Sequence, residues 1–492
     1  QGNSAYVTKH RFGYSVFEHS ETGIVSDALI FTDTEQPIKF VIINIHNTSG
    51  RERKISLTGY SEWVLGDLRS KSAMHVVTDH DNNTGALIAC NPYNFEFEHR
   101  VAFFDTDEAN KTFTADRAEF IGRNNSLKNP AAMKQAWLSG KYGAGLDSCA
   151  AMQVSFTLYH DEKKQIVFRM GAAVDKGEAI KLITQFKGAE AAMNALESVH
   201  RLWRKTLSAI QLETPDKALN LVSNGWLLYQ TIACRLWARS GFYQSGGAYG
   251  FRDQLQDVLA VLYTDAGLAR AQIIRSASRQ FKEGDVQHWW HPPLGRGVRT
   301  HCSDDFLWLP FVTAKYVLIT GDHSILAESV SFLEGRLVNP NEESYYDLPN
   351  IAAEKANLYE HCKRAIDFGC RFGEHGLPLI GSGDWNDGMN MVGKDGKGES
   401  VWLAFFLYDV LQKFTGIARL QYDEAFAGLC EHRAVDLEKN ISSSAWDGNW
   451  YLRAFFDDGT ALGSSKNEEC KIDSIAQSWS VLSGAGEQTR SQ

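Results

Sequence analysis

The feature that most constrains this chain is a change in hydrophobic period near residue 189. Before it, apolar and polar residues alternate, as in the run Val154 to Leu158, and a period of two is typical of strands with one buried face. After it, apolar residues recur at helical spacing along one stripe: Leu196, Val199, Trp203, Leu207 and Ile210. Since one repeating fold cannot produce both periods, we expect a β domain followed by an α domain.

The first part reads as many short strands separated by polar turns. The runs Ile38 to Ile45 and Lys54 to Tyr60 are joined by a turn-forming stretch that begins at Asn47, and we expect them to form a hairpin. Short antiparallel strands in this number favour a sandwich of two sheets. We therefore predict an antiparallel β-sandwich over residues 1–188.

The second part reads as helices separated by long loops rich in Gly, Asp and Trp. Thr214 and Pro215 resemble an N-cap followed by proline in the first turn, which opens a helix whose buried face would include Leu219, Val222, Trp226 and Tyr229. Further helices are expected around 253–263, 266–281, 304–320, 323–335, 352–374, 400–415, 422–440 and 472–483, with strands only in short hairpins such as Trp450 to Phe456. We interpret this as a helical linker over 189–215 and an (α/α)6 barrel over 216–492, which makes the fold class α+β and multidomain.

Composition excludes several classes of partner. Fifty basic against sixty acidic residues give a net charge of −10, so the chain lacks the positive field that binds nucleic acid. No stretch of about 18 uninterrupted apolar residues is present, and the N-terminus lacks a signal-peptide pattern. The eight cysteines are scattered without metal-binding spacing. We expect a cytoplasmic protein with reduced thiols and no membrane contact; a homodimer stays open.

Two segments combine charge and aromatic rings. Residues 249–257 (YGFRDQLQD) place Arg252 and Asp253 at the start of a helix, with Asp257 one turn further on the same face; acidic residues at a helix start would explain the pattern without any function. Residues 288–305 begin with His288, Trp289, Trp290 and His291, pass Arg296, Arg299 and His301, and end with Asp304 and Asp305. Two adjacent indoles cannot both face one core, so at least one is expected to line a cleft.

The third segment, residues 381–388 (GSGDWNDG), carries Asp384, Trp385 and Asp387 among three glycines. Unpaired buried charges cost several kcal/mol each, so a core does not use such a sequence. Trp385 offers a flat apolar face for a sugar ring, and a carboxyl group beside an indole suits a general acid. This segment is therefore predicted to be a catalytic loop.

A carboxylic acid beside aromatic platforms fits the cleavage of a glycosidic bond. An inverting hydrolase pairs the acid with a carboxylate base that activates water, and Asp384 or Asp304 could serve as that base. If phosphate replaces water, no base is needed, and cationic groups should hold the phosphate instead. Candidate phosphate ligands are His288, Arg296 and Arg299. The three histidines of residues 288–301 do not match a metal-binding spacing, and we predict no metal and no cofactor.

The chain resembles glycoside hydrolase family 94, the inverting phosphorylases of β-glucosides. The resemblance rests on the segments YGFRDQLQD, HWWHPPLGRGVRTHCSDDFLWLP, GSGDWNDGMN and NEECKIDSIAQSW, and on HRFGYSVFEH, TGYSEWVLGDLR and GAGLDSCAAMQ in the first part. WWHPPLGRGVRT and ECKIDSIAQSW most resemble the phosphorylase-like region of cyclic β-1,2-glucan synthases and related 1,2-β-oligoglucan phosphorylases. The implied activity is reversible phosphorolysis of β-linked gluco-oligosaccharides to α-glucose 1-phosphate, with phosphate as co-substrate.

The resemblance also implies roles for individual residues. Asp387 would be the general acid, Trp385 would contact the sugar in subsite −1, and Arg252 and Asp257 would hold hydroxyls of that sugar. Glu469 and Gln477 of the late motif would lie near the site. With the residues singled out above, the predicted substrate-binding set is Arg252, Asp253, Asp257, Trp289, Trp290, Asp304, Asp305, Asp384, Trp385, Glu469 and Gln477.

The sequence departs from the family in two respects. Cellobiose-type members have a phosphate-binding His where this chain has Ile475. The family also continues with more helix and a small β domain after the late motif, so we expect a C-terminally incomplete catalytic domain. A hydrolase of the same architecture and a non-catalytic glucan-binding module are the alternatives to a phosphorylase.

Overall fold

The structure is a computed structural model that describes residues 4–237 and 247–490. The chain divides into two compact units, residues 1–208 and 209–492. The first is built mainly of strands and the second mainly of helices. The predicted order of a β-sandwich before a helical domain is confirmed.

Two antiparallel sheets form the first unit. The eight strands of the larger sheet are, in spatial order, Tyr6–Arg11, Tyr14–Glu21, Ile24–Thr32, Ile38–Asn47, Lys163–Ala173, Val101–Thr106, Leu87–Cys90 and Val77–His80. The smaller sheet contains Arg53–Glu62, Ser148–Leu158 and Lys111–Asp116. Apolar residues of both sheets, among them Phe104 and Phe168 from the larger and Met152 from the smaller, share one buried core.

The predicted hairpin of this unit is wrong. Strands Ile38–Asn47 and Arg53–Glu62 are consecutive but belong to different sheets. The side-chain amide of Asn47 donates to the backbone oxygens of Arg51 and Leu158 at 2.8 and 2.9 Å. These hydrogen bonds hold the turn at which the chain crosses from one sheet to the other.

Helices of the first unit include Arg69–Ser72, Arg117–Ile121, Lys176–Gln185 and Ala189–Leu207. In the last helix Leu196, Val199, Trp203 and Leu207 are buried as the stripe predicts, whereas Ile210 lies beyond the helix and is 46% exposed. The segment predicted as a linker therefore belongs largely to the first unit. A Cβ atom on Gly13 would lie 2.5 Å from Val199 and Trp203, which shows how closely the helix approaches the first hairpin.

The second unit contains helices Lys217–Leu221, Leu227–Gln230, Phe251–Leu259, Ala266–Ala277, Trp308–Thr320, Leu358–Gly369, Val401–Leu420, Glu424–Ser444 and Ser474–Ser483. Val401–Leu420 has the length and apolar composition of a membrane-crossing helix, but 78% of its apolar window is buried inside the unit. Phe406 of this helix is fully buried and its ring lies 4.6 Å from that of Trp308. Burial in the core thus accounts for the apolarity of this helix.

Three predictions for the second unit fail. The region 323–335 is a short 3-10 turn, His323–Ala327, followed by strand Ser329–Glu334, and its partner strand Asn350–Asn357 takes the start of the helix predicted over 352–374. Antiparallel pairing with Asn350–Asn357 makes Ser329–Glu334 a strand. Short strands also recur beyond the expected hairpins. Leu219, Val222 and Trp226 were expected to be buried but are 46, 37 and 40% exposed.

Candidate active site

Two of the segments singled out in the sequence meet in one four-stranded sheet. Its strands are, in spatial order, Tyr249–Gly250, Gln287–His291, Arg296–Thr300 and Ser344–Asp347. Gly250 pairs with Trp289, and helix Phe251–Leu259 begins at the residue after Gly250. This connection places Arg252 in the first turn of the helix, beside the Trp-rich strand.

The third segment, residues 381–388, is called the acid loop here, and it lies against the residues that follow the sheet. The backbone nitrogen and the hydroxyl of Ser303 donate to Gly383 O at 2.9 and 3.1 Å. Gly381 has φ of +61°, and a Cβ atom there would lie 2.0 Å from His301 O. Only glycine permits both this backbone conformation and this close approach.

Arg252 connects the helix to the acid loop. Its Nη1 donates to the Asp304 carboxylate at 3.2 and 3.4 Å and to Asp384 O at 3.0 Å, and its Nη2 donates to Asp387 Oδ1 at 2.8 Å. Burial acts to lower the pKa of Arg252, but the carboxylates of Asp304, Asp305 and Asp387 outweigh it. The pKa of Arg252 is therefore above its usual range. The guanidinium is thus a permanent positive charge that contacts the helix side and the acid loop side of the site.

Asp387 is the exposed carboxylate of this cluster. Its side chain is 55% exposed, whereas those of Asp304, Asp305 and Asp384 are 0, 3 and 0% exposed. Arg252 holds Oδ1 of Asp387, and Oδ2 lies 3.9 Å from His288 Nε2. A carboxyl group fixed through one oxygen and open at the other can exchange a proton with a bound ligand.

His288 and Asp305 form a buried pair next to Asp387. His288 Nδ1 lies 2.7 Å from Asp305 Oδ2, and the two side chains are 18 and 3% exposed. Burial alone would lower the pKa of His288, but the charge and hydrogen bond of Asp305, and then the charge of Asp387, raise it to about 9. His288 is therefore an imidazolium at neutral pH.

His288, Cys302 and Asp305 bring their donor atoms within 4.8 Å of one another, the spacing of a potential metal site. A metal would need the thiolate of Cys302, but burial raises the pKa of this thiol well above its usual range. His288 Nδ1 is also already bonded to Asp305. The three residues therefore fit a His–Asp pair beside a neutral thiol better than a metal centre, and the absence of a metal stays a prediction.

The structure does not bring the three histidines of residues 288–301 together at one point. His291 Nδ1 lies 3.2 Å from the hydroxyl of Tyr346, and His301 Nε2 lies 3.3 Å from Asn339 O. Only His288 of the three contacts the carboxylate cluster in the part of the chain that is described.

Asp384, predicted to bind substrate, is enclosed by other groups of the protein. Asp384 is fully buried and accepts two hydrogen bonds from Arg453, at 2.6 and 2.7 Å. It also accepts from the Ser400 hydroxyl at 2.6 Å and from Asn386 N at 3.1 Å. Because these groups occupy both oxygens, Asp384 holds the acid loop in place, and its contact with substrate stays a prediction.

Asp304 and Asp305 are likewise buried and paired, and their roles toward substrate stay predictions. Asp304 is fully buried and accepts from Arg252 and, at 3.0 Å, from the indole nitrogen of Trp308. Burial raises the pKa of Asp304, and the charge of Arg252 opposes that shift. Asp305 is committed to His288.

The three tryptophans of the predicted cleft differ in exposure. Trp385 is 46% exposed and Trp290 is 1% exposed, while Trp289 is half-buried with its ring 5.4 Å from that of Tyr346. Trp290 packs under the guanidinium of Arg279 and has little free surface, and its contact with a sugar stays a prediction. Trp385 and Trp289 still offer accessible indole faces.

Arg299, predicted as a phosphate ligand, is also buried and already paired. Arg299 is 1% exposed, donates twice to Asp285 at 2.6 Å, and lies over the ring of Phe281. Arg296 is half-buried, 3.6 Å from Asp347, and is more accessible. Arg296 alone of this arginine pair remains a candidate for phosphate.

The remaining predicted residues contact groups other than Asp387. Asp253 and Asp257 both face Arg235, at 3.5 and 3.1 Å. Gln477 exchanges hydrogen bonds with the backbone of Tyr451 at 2.7 and 3.0 Å, and Glu469 is exposed. Their roles toward substrate stay predictions.

Sequence reasoning missed Arg453 and Ser400, which hold Asp384. Both are buried, and Arg453 lies in an apolar stretch, Tyr451 to Phe456, that we interpreted only as a hairpin. An arginine between apolar residues was the available signal, because a buried guanidinium requires a carboxylate partner.

A cavity of about 670 Å³ opens beside the acid loop. Its lining includes the polar side chains of His301, Glu343, Arg371, Ser382 and Asn390. Gly381 and Ser382 of the acid loop form part of its wall. The volume is within the range of small-ligand sites.

A β-sandwich followed by a helical unit whose loops gather an exposed carboxylate, an arginine and accessible indoles is the organisation of a carbohydrate-active protein. The catalytic domain of the Glycosyl hydrolase 94 superfamily matches residues 202–492, and the Glycosyl hydrolase 94 supersandwich domain matches residues 1–189. The chain belongs to this family, which confirms the resemblance seen in the sequence.

Curated relatives cover almost all of the chain. Cyclic beta-(1,2)-glucan synthase NdvB of Rhizobium meliloti (strain 1021) is 42% identical over 99% of this chain and 17% of its own length. Solabiose phosphorylase of Paenibacillus borealis is 29% identical and N,N'-diacetylchitobiose phosphorylase of Vibrio furnissii is 26% identical, both over 99% of this chain. The chain spans 60 and 62% of these two phosphorylases.

Solved structures agree with the fold. A putative kojibiose phosphorylase from the human microbiome superposes with a TM-score of 0.52 at 10% identity, over 90% of this chain and 57% of its own. A bacterial glucoamylase complexed with acarbose gives 0.51 at 10% identity, over 92 and 61% of the two chains. At this identity the likeness concerns architecture alone.

Proposed function

We propose that this chain carries the active site of an inverting glycoside phosphorylase. Inorganic phosphate cleaves a β-linked gluco-oligosaccharide and releases α-glucose 1-phosphate, reversibly, with Asp387 as the proton donor to the glycosidic oxygen. The observation that carries the proposal is the division among the carboxylates of the cluster, where Asp387 alone is exposed.

This division favours phosphate over water as the nucleophile. A hydrolase needs a second carboxylate that is free to take a proton from water. The two residues that could have served, Asp384 and Asp304, are fully buried and held by Arg453 and Arg252. Phosphate is already anionic and needs only cationic or backbone donors, for which Arg296 is the accessible candidate.

The substrate we propose is a β-1,2-linked glucose chain. Support comes from the 42% identity with a cyclic beta-(1,2)-glucan synthase over 99% of this chain. Trp385 and Trp289 provide stacking faces for glucose rings, and the cavity beside the acid loop has room for further sugar units. We further propose that the helices of the second unit belong to an (α/α)6 barrel and that the enzyme acts in the cytoplasm without a cofactor.

The test is a product assay across linkages. Purified protein is incubated with β-1,2-, β-1,3- and β-1,4-linked glucose disaccharides and trisaccharides, with and without phosphate, and glucose 1-phosphate is measured. We expect glucose 1-phosphate from the β-1,2 series only when phosphate is present. Equal cleavage without phosphate would identify a hydrolase, and saturable binding of the glucans without turnover would identify a binding module.

A further inference from the structure

The two oxygens of Asp387 have different neighbours. Oδ1 accepts from Arg252 Nη2 at 2.8 Å and lies 3.9 Å from Cys302 Sγ. Oδ2 lies 3.9 Å from His288 Nε2. Because the guanidinium occupies Oδ1, a proton carried by Asp387 belongs on Oδ2, the oxygen that faces His288.

His288 is oriented for proton transfer at one nitrogen. Asp305 Oδ2 fixes Nδ1 at 2.7 Å, so the other ring nitrogen, Nε2, is the one directed at Asp387. The charged and titratable groups around this ring are Asp305, Asp387 and Arg252, together with the thiol of Cys302. The net surroundings are acidic, which keeps the ring protonated at neutral pH.

We propose that His288 supplies the proton that Asp387 donates to the leaving group; the inference rests on the proposed phosphorylase function. The N–H bond at Nε2 breaks and an O–H bond forms at Asp387 Oδ2, which leaves a neutral imidazole and a neutral carboxylic acid. Asp387 then protonates the glycosidic oxygen. In synthesis the same proton returns from the acceptor hydroxyl through Asp387 to His288.

The site needs such a source because Asp387 must carry a proton when it meets the glycosidic oxygen, and Arg252 already occupies Oδ1. When a sugar covers the exposed face of Asp387, direct protonation by bulk water is blocked, whereas the imidazolium is already in place. The distance of 3.9 Å between Nε2 and Oδ2 must shorten or be bridged by one water molecule, as is usual for sites without substrate. Between turnovers, solvent returns a proton to Nε2 of His288.

The same geometry removes His288 from the predicted phosphate ligands. In an inverting reaction the nucleophile attacks the sugar face opposite the acid. His288 Nε2 is 3.9 Å from the acid oxygen, so it serves the side of the leaving group.

The test compares leaving groups in His288→Gln. A β-1,2-linked glucose disaccharide needs protonation of its leaving oxygen, whereas dinitrophenyl β-glucoside does not, and both need phosphate. We expect kcat for the disaccharide to fall by about 10²-fold with little change for the aryl glucoside and in the KM for phosphate. His291→Gln, on the same strand but bonded to Tyr346, is the matched control and should behave as wild type.

Two further measurements separate a proton role from a structural role. Added imidazole should restore disaccharide cleavage in His288→Gly and have no effect on wild type. Asp305→Asn should move the alkaline limit of kcat/KM for the disaccharide to lower pH, because losing the carboxylate lowers the pKa of His288 and the ring must be protonated to act.

Each other outcome overturns the inference. Equal losses on both donors, or a raised KM for phosphate, would make His288 a phosphate or structural residue. Unchanged disaccharide turnover, or no rescue by imidazole, would show that Asp387 obtains its proton elsewhere. If wild type itself shows no phosphate-dependent turnover of either donor, the proposed function has failed, and this is seen before any variant is made.

Discussion

At the scale of single residues, charge pairing determines which carboxylate can act. Asp384 and Asp387 lie three positions apart in one loop, yet one is enclosed by Arg453 and the other is open to solvent. Arg252 contacts the backbone of the first and the side chain of the second. Substitutions at these two positions should therefore have opposite kinds of effect.

Asp387→Asn should reduce turnover without unfolding the protein. The amide keeps the shape of the side chain but cannot donate an acidic proton, so we expect kcat for a disaccharide to fall by about 10²- to 10⁴-fold with binding little changed. Steady-state kinetics and oligosaccharide titration measure the two effects. Asp458→Asn, in an exposed turn, is the control; preserved kcat in Asp387→Asn would show that another group is the acid.

Asp384→Asn should instead reduce stability. It leaves the buried guanidinium of Arg453, 1% exposed, with only Asp473 as a charged partner, 3.2 Å from Nε, and breaking a buried ion pair from one side costs about 3–5 kcal/mol. Urea unfolding measured by the fluorescence of the second unit should show the loss. A free energy of unfolding within error of wild type would contradict the assigned role of Asp384.

The His288–Asp305 pair should make stability depend on pH. The pKa of His288 is raised from 6.5 to about 9 in the folded protein. The folded protein therefore binds this proton more tightly than the unfolded chain does. Its stabilising contribution is complete below pH 6.5 and is lost as pH rises through 9. The difference in free energy of unfolding between wild type and His288→Gln should shrink over this range; a constant difference would refute the raised pKa.

At the scale of elements, the acid loop depends on contact between two backbones. Gly381→Ala would place a Cβ atom 2.0 Å from His301 O, whereas Gly396→Ala meets nothing within 4 Å at a similarly positive φ. Both substitutions carry the strain of a left-handed conformation, so their difference isolates the close approach. We expect Gly381→Ala to lose far more activity and thermal stability; equal effects would show that the loop can move aside.

The sequence predicted this loop but not the state of its residues. Glycines, an indole and two carboxylates within eight positions indicate a functional site, because a core cannot use them. The partners that bury Asp384 lie 69 positions downstream, at Arg453, and 16 positions downstream, at Ser400. Local pattern carries no information about such pairings, so it did not separate the buried carboxylates from the exposed one.

Secondary structure shows the same limit. Amphipathic stripes identified helices such as Ala189–Leu207, whose buried face follows from spacing alone. The strand Ser329–Glu334 lies in a segment that we predicted to be helical. It is a strand because it pairs with a second strand, which begins only at Asn350. Short apolar runs take the structure of their partner, which periodicity within one segment does not reveal.

At the scale of the whole molecule, the chain consists of a sandwich unit and a helical unit. The Arg252, His288 and Asp387 cluster is contained within the second. The family match and the 42% identical glucan synthase extend across both. We propose that this site transfers glucose to phosphate rather than to water.

The most direct test is ³¹P and ¹H NMR of the reaction of the protein with a β-1,2-linked glucose disaccharide in phosphate buffer. For a phosphorylase we expect one molecule of α-glucose 1-phosphate for each glycosidic bond broken, and we expect Asp387→Asn to slow its formation greatly. Cleavage to two glucose molecules without a new phosphate ester, at a rate independent of phosphate concentration, would contradict the account.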